Sequence, residues 1–142
     1  MRDYKKEYEE RVAFIRDLLE KSGAKGIVYG NSGGKDSALV GILCKAACDN
    51  TVGIIMPCSS KRNFGQDAED ARIAADQYGI ETRFIDLTPV REAEMQQLSS
   101  LTEVTPAAAV NIAPRLRMTT LYAVAASEGR LVAGTGNRSE AY

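Results

Sequence analysis

Apolar residues recur every three or four positions between Arg2 and Ser22, at Tyr4, Tyr8, Val12, Ile15 and Leu19, and Gly23 follows as a stop. That spacing predicts an amphipathic helix. The short apolar run Gly26-Ile27-Val28-Tyr29 reads as a strand, and a helical pattern returns from Lys35 to Cys48. Val52-Gly53-Ile54-Ile55-Met56 is a second strand, ended by Pro57. A helix is predicted near Asp67 to Tyr78, closed by Gly79, and Thr82-Arg83-Phe84-Ile85-Asp86 is a third strand. Pro89 suits the first turn of a short helix reaching Leu98, and Ser99 to Pro106 reads as a polar connection. A longer helix holds Arg115 to Ser127, closed by Gly129, and Leu131-Val132-Ala133-Gly134 is the fourth strand.

Short apolar strands alternating with helices predict an α/β fold. It is a Rossmann-like open, mostly parallel sheet with helices on both faces. The chain shows no internal repeat, low-complexity tract or linker, so a single domain is expected over residues 1–142. Right-handed crossovers limit the topology. With strand order 3-2-1-4, the reversal lies between strands one and four, and ligands bind beyond the carboxyl ends there. The loops Gly30 to Ser37 and Thr135 to Glu140 would then flank one crevice.

Composition narrows the function classes. The 142 residues are 44% hydrophobic and 26% charged, which suits a globular chain with a sizeable core. A net charge of −1 offers no general footprint for nucleic acid or a membrane surface. No apolar run is long enough to span a bilayer. The charged start Met1-Arg2-Asp3-Tyr4-Lys5-Lys6-Glu7 does not read as a signal peptide, so a cytoplasmic protein is expected.

Three cysteines make no disulfide framework. Cys44 and Cys48, one helical turn apart, read as core thiols, and Cys58, just past a strand end, either borders the site or fills the core. The chain has no histidine, which argues against a zinc site and excludes Ser-His-Asp and Cys-His catalysis within it. No side-chain nucleophile is expected; chemistry must rest on alignment, cations and metal.

The densest chemistry lies in Gly30-Asn31-Ser32-Gly33-Gly34-Lys35-Asp36-Ser37, a glycine-rich turn between a strand and a helix. Such a turn exposes backbone N–H groups, and the helix N-terminus adds partial positive charge. Ser32 and Ser37 add hydroxyls, and the Asp36 carboxylate can hold a divalent ion. The combination suits nucleotide phosphates with Mg2+. Its spacing differs from the GxxxxGK[ST] P-loop. In Gly134-Thr135-Gly136-Asn137-Arg138-Ser139-Glu140, Thr135 can bond a nucleotide and Glu140 can share Mg2+ with Asp36 if the loops meet. Arg115 and Arg117 lie about 200° apart on a helix, so one can face the crevice while the other pairs structurally. Ser59, Ser60 and Arg62 either contact the nucleotide or belong to a solvated loop.

The SGG-x-DS loop resembles that of the N-type ATP pyrophosphatase group. With Ile55-Met56-Pro57, Ser59-Ser60, Arg115-Leu116-Arg117-Met118 and the GTGN-x-SE stretch from Gly134 to Glu140, the chain resembles the ammonia-dependent NAD+ synthetase family from about Tyr8 onward. The resemblance implies an adenine nucleotide alpha-hydrolase-like fold. It implies amidation of deamido-NAD+ with ammonia through an adenylate, with ATP as co-substrate and AMP and pyrophosphate released. By position, Gly30, Asn31, Ser32, Gly33, Gly34, Lys35, Asp36, Ser37 and Thr135 would hold ATP. Asp36 and Glu140 would hold Mg2+, and Arg115 would bind deamido-NAD+. A homodimer is implied as well, with no nucleic-acid or membrane partner.

Two departures stand out. Pro114 precedes Arg115 where the family continues a helix, so a start or kink is expected there. The family also continues past the position of Tyr142, so the chain corresponds to an N-terminal portion, with no glutaminase domain expected before it. The open alternatives are another ATP pyrophosphatase, GMP synthetase-like or tRNA-modifying, and a non-catalytic nucleotide-binding module.

Overall fold

The computed structural model describes residues 4–58 and 64–134, leaving aside the side chains at 35 and 64–68. The elements are α1 (Tyr4–Ser22), β1 (Gly26–Gly30), α2 (Lys35–Ala47), β2 (Thr51–Ile55), α3 (Phe64–Gln77), β3 (Glu81–Phe84), α4 (Thr88–Leu101), α5 (Pro106–Ala109), α6 (Ile112–Glu128) and β4 (Arg130–Ala133). The strands form one parallel sheet in the order β3-β2-β1-β4, so the reversal of strand order lies between β1 and β4.

The strand pleat sorts the side chains. On one face Val28, Val52, Ile54, Met56 and Val132 meet Ala113, Leu116, Leu121, Val124 and Ala125 of α6. On the other, Tyr29 packs with Val40 of α2, Ala75 of α3 and Ile80. The sheet is therefore covered on both faces, and its central strands are apolar except for Thr51, whose hydroxyl donates to Cys44 O and Cys48 O. Among the described residues no helix is long and apolar enough to cross a membrane.

Tyr29 shows how tightly this face closes. Its ring, 1% exposed, lies against Gly41 of α2 and Gly53 of β2. Burial, and then the neighbouring Cys44, pushes its phenol up to about 12. A Cβ on Gly53 would stand 2.8 Å from Tyr29 Cζ, inside van der Waals contact. Gly53→Ala is expected to cost about 1–3 kcal/mol. Urea unfolding measures it; an unchanged midpoint would mean that the ring has room to move.

The amino end of the sheet is laced shut. Arg130 Nη1 donates to Asn50 O (2.9 Å) and Ile27 O (3.3 Å), and Asn50 Nδ2 donates to Lys25 O (2.8 Å). Glu128, at the end of α6, pairs with Arg83 (2.6 Å) and Arg130 (2.7 Å), which pull its carboxyl down to about 2. Gly129, at φ 68°, turns the chain from α6 into β4 in the left-handed conformation that glycine tolerates.

Some boundaries differ from expectation. The polar connection expected over Ser99 to Pro106 is shorter, because α4 takes its first residues and α5 starts at Pro106, where the Thr105 hydroxyl accepts from Ala108 N (3.2 Å). The run Thr-Pro-Ala-Ala-Ala carries the capping signal. α6 begins at Ile112, so Pro114 falls within the first turn, where no intrahelical N–H is needed. α4 runs on to Leu101 rather than Leu98. On α1, Tyr4 and Tyr8 are exposed, and only Val12 of the predicted stripe is fully buried.

Candidate nucleotide site

β1 delivers the glycine loop to the carboxyl end of the sheet. The Asn31 N–H continues the ladder by donating to Ile54 O (2.9 Å). The Asn31 side chain is 5% exposed; Nδ2 donates to Ala71 O of α3 (3.0 Å) and Oδ1 accepts from Gly33 N (3.2 Å). The second bond makes an Asx turn, for which the Asn-x-Gly spacing is the local signal. Gly33 sits at φ 88°, a conformation that costs a side chain dearly.

The two serines tie the other side of the loop. Ser37, 2% exposed, donates to Gly34 O (3.1 Å) and accepts from Ser32 N (3.2 Å). The hydroxyls of Ser32 and Ser37 stand 3.1 Å apart, and Ser32 Oγ accepts from Gly34 N (3.3 Å). Asn31 and Ser37 thus spend their side chains on holding the loop, while Ser32, Gly33, Gly34 and Asp36 are exposed on its outer side. Gly34 caps α2 through its backbone alone, and the first intrahelical bond runs from Ala38 N to Gly34 O (3.1 Å). The amides of residues 35–37 consequently lack intrahelical partners, an arrangement able to receive an anion.

β1 and β4 are neighbours, and Tyr29 pairs with Ala133 in register. Gly30 and Gly134 therefore leave the sheet side by side. Thr135 and Glu140 lie outside the described residues, as do Ser59, Ser60 and Arg62.

The described residues offer few metal ligands. Among them no cluster of three or more metal-ligating side chains exists. Asp36 stands exposed in the first turn of α2. One carboxylate beside a glycine-rich loop would fit Mg2+ if a phosphate lay there, since that ion takes few protein ligands and completes its shell with phosphate oxygens and water.

The two arginines of α6 divide as their spacing requires. Arg115 is exposed, while Arg117 is half-buried and its Nε donates to Met56 O (2.9 Å). α6 runs antiparallel to the strands, so both lie at the end of the sheet that carries the glycine loop. No local pattern reveals the Arg117 contact, because Met56 is 61 residues away. Cys58 fills the core at 2% exposure, with its thiol 3.7 Å from Leu87 O. Burial pushes that thiol up, opposed by Arg117 and Arg91. Cys44 is also a core thiol, and Cys48 is half-buried.

The profile of a family described as NAD synthase matches residues 7–142. The NH(3)-dependent NAD(+) synthetase of Carboxydothermus hydrogenoformans is 40% identical over 141 residues, covering 97% of this chain and 57% of that protein. The enzyme of the same name from Pyrobaculum aerophilum is 36% identical over 140 residues, 97% of this chain and 52% of its own. Among solved structures, the NH3-dependent NAD synthetase of Campylobacter jejuni superposes with a TM-score of 0.86 at 34% identity, over 98% of this chain and 59% of its own. The NMN synthetase of Francisella tularensis gives 0.83 at 29% identity, over 93% and 54%. The chain spans about half the length of the curated relatives it matches.

Proposed function

Because the chain belongs to the NAD synthase family, we propose that it carries the nucleotide-binding half of an ammonia-dependent ligase that converts deamido-NAD+ to NAD+. The names of the curated relatives set the GMP synthetase-like and tRNA-modifying readings aside. The observation that carries the proposal is the braced glycine loop opening beside β4 at the reversal of strand order.

ATP would lie with its phosphates on Gly30, Ser32, Gly33, Gly34, Lys35, Asp36 and Ser37, with Asn31 shaping the loop and Thr135 contributing from the neighbouring one. The substrate carboxylate attacks the α-phosphorus of ATP, the bond to the bridging oxygen breaks, and pyrophosphate leaves. Ammonia then adds to the acyl carbon, loses a proton, and expels AMP. The α2 amides orient the phosphates and neutralise part of the charge that develops on the leaving group. Mg2+, held by Asp36 and Glu140, would supply the remaining charge neutralisation.

Arg115 would bind an anionic group of deamido-NAD+. Arg115→Ala should then raise the KM for deamido-NAD+ by roughly 10- to 100-fold, as loss of a charged hydrogen bond does, and leave that for ATP nearly unchanged. Equal effects on both would argue against this role.

The chain would work as a homodimer, supported by the apolar Leu101, Val110 and Met118 exposed on α4 to α6. A cytoplasmic setting is consistent with its free thiols.

Incubation with ATP, Mg2+, ammonium and deamido-NAD+, with NAD+ and AMP measured together, tests the proposal. Equal amounts of both products support it. AMP alone would point to a different acceptor or a failed second half-reaction. Neither product would mean a nucleotide-binding module or an inactive portion of the enzyme, which the same assay on a longer chain separates.

A further inference from the structure

Four successive carbonyls at the exit of β2 are each taken by a different part of the fold. Ile54 O accepts from Asn31 N (2.9 Å), Ile55 O from Ile85 N (2.9 Å), Met56 O from Arg117 Nε (2.9 Å) and Pro57 O from Leu87 N (2.7 Å). The glycine loop, the exit of β3, α6 and the start of α4 thus converge on one short segment. Three of these bonds are backbone to backbone. At Met56 the ladder has ended, the residue is 7% exposed, and a side chain from α6 supplies the donor that a buried carbonyl needs.

Besides the packing of Ala113 and Leu116 on the core, the start of α6 has little else to hold it. Asn111 gives no side-chain cap, Pro114 removes an N–H, and Arg115, Met118 and Thr119 are exposed. Met56 touches the other partner as well, since its Cε lies 3.1 Å from where a Cβ on Gly30 would stand. A continuous path therefore runs from the glycine loop through Met56 to Arg117.

We propose that Arg117 is a positioning residue that fixes the first turns of α6, and with them Arg115, against the exit of β2 and so against the nucleotide loop. Its consequence for substrate binding rests on the reading of Arg115 given above. The planar guanidinium suits this task, because Nε–H points in a set direction from a stem that packs along the helix.

Arg117→Met keeps the length of the stem and removes the donor. Backbone hydrogen exchange of the intact chain should then be about tenfold faster in residues 115–121 and unchanged in β1 and β2. Unchanged exchange in α6 would overturn the proposal.

A double-mutant cycle on the affinity for deamido-NAD+ separates positioning from mere support. If Arg117 acts through Arg115, Arg115→Ala combined with Arg117→Met loses no more than Arg115→Ala alone. Losses that multiply would overturn the proposal. If Arg115→Ala alone leaves the affinity intact, the reading of Arg115 falls, and the exchange result still decides whether Arg117 holds the helix.

Discussion

Asn31→Asp is expected to lower the stability of the chain by about 3 kcal/mol or more at neutral pH, although the two side chains have nearly the same shape. Nδ2 of Asn31 donates to Ala71 O at a site 5% exposed, so the exchange would set a buried carboxylate against a carbonyl oxygen. The bond from Gly33 N to Oδ1 is retained, which confines the damage to the contact with α3. The sign of the pH dependence follows. Burial beside an acceptor favours the protonated form, so the introduced carboxyl titrates higher when folded than its unfolded value of about 3.9. The variant recovers stability as pH falls, because the neutral acid can donate to Ala71 O, and loses it as pH rises through the folded value. Thermal unfolding between pH 4 and 8 checks this. A variant as stable as the parent throughout would mean that the amide is not committed to Ala71.

Asp36→Ala should act in the opposite way, sparing the fold and removing the chemistry. Asp36 is exposed in the first turn of α2, where an acid contributes about 0.3–1 kcal/mol through the helix dipole and alanine returns part of that through its helix propensity. The change in stability should stay within about 1 kcal/mol. Release of AMP and pyrophosphate should fall by a factor on the order of 10³, as happens when preorganised charge at a reacting centre is lost. The rate measured against Mg2+ concentration is the direct check. Full activity with unaltered Mg2+ dependence would remove Asp36 from the metal. Five residues apart across the loop and the first turn of α2, Asn31 and Asp36 would then separate what builds the site from what works in it.

The sequence by itself determined whatever depends on neighbours in the chain. Apolar runs bounded by glycines and prolines marked the strands and most helix ends. The strand–glycine–helix order of Gly26 to Ser37 marked a candidate anion site, because turn geometry and helix polarity are set within a few residues. Neither α5 nor the Asx turn was predicted, although Thr-Pro-Ala-Ala-Ala and Asn-x-Gly carry local signals for both. What only the tertiary structure decided depends on distant partners. Asn31 is buried because Ala71 lies 40 residues further along the chain, and Arg117 is turned inward because Met56 O lies 61 residues away. Tyr4 and Tyr8 repeat with the same period as Val12, yet only Val12 is deeply covered. Periodicity specifies a face, and only packing decides whether anything covers it.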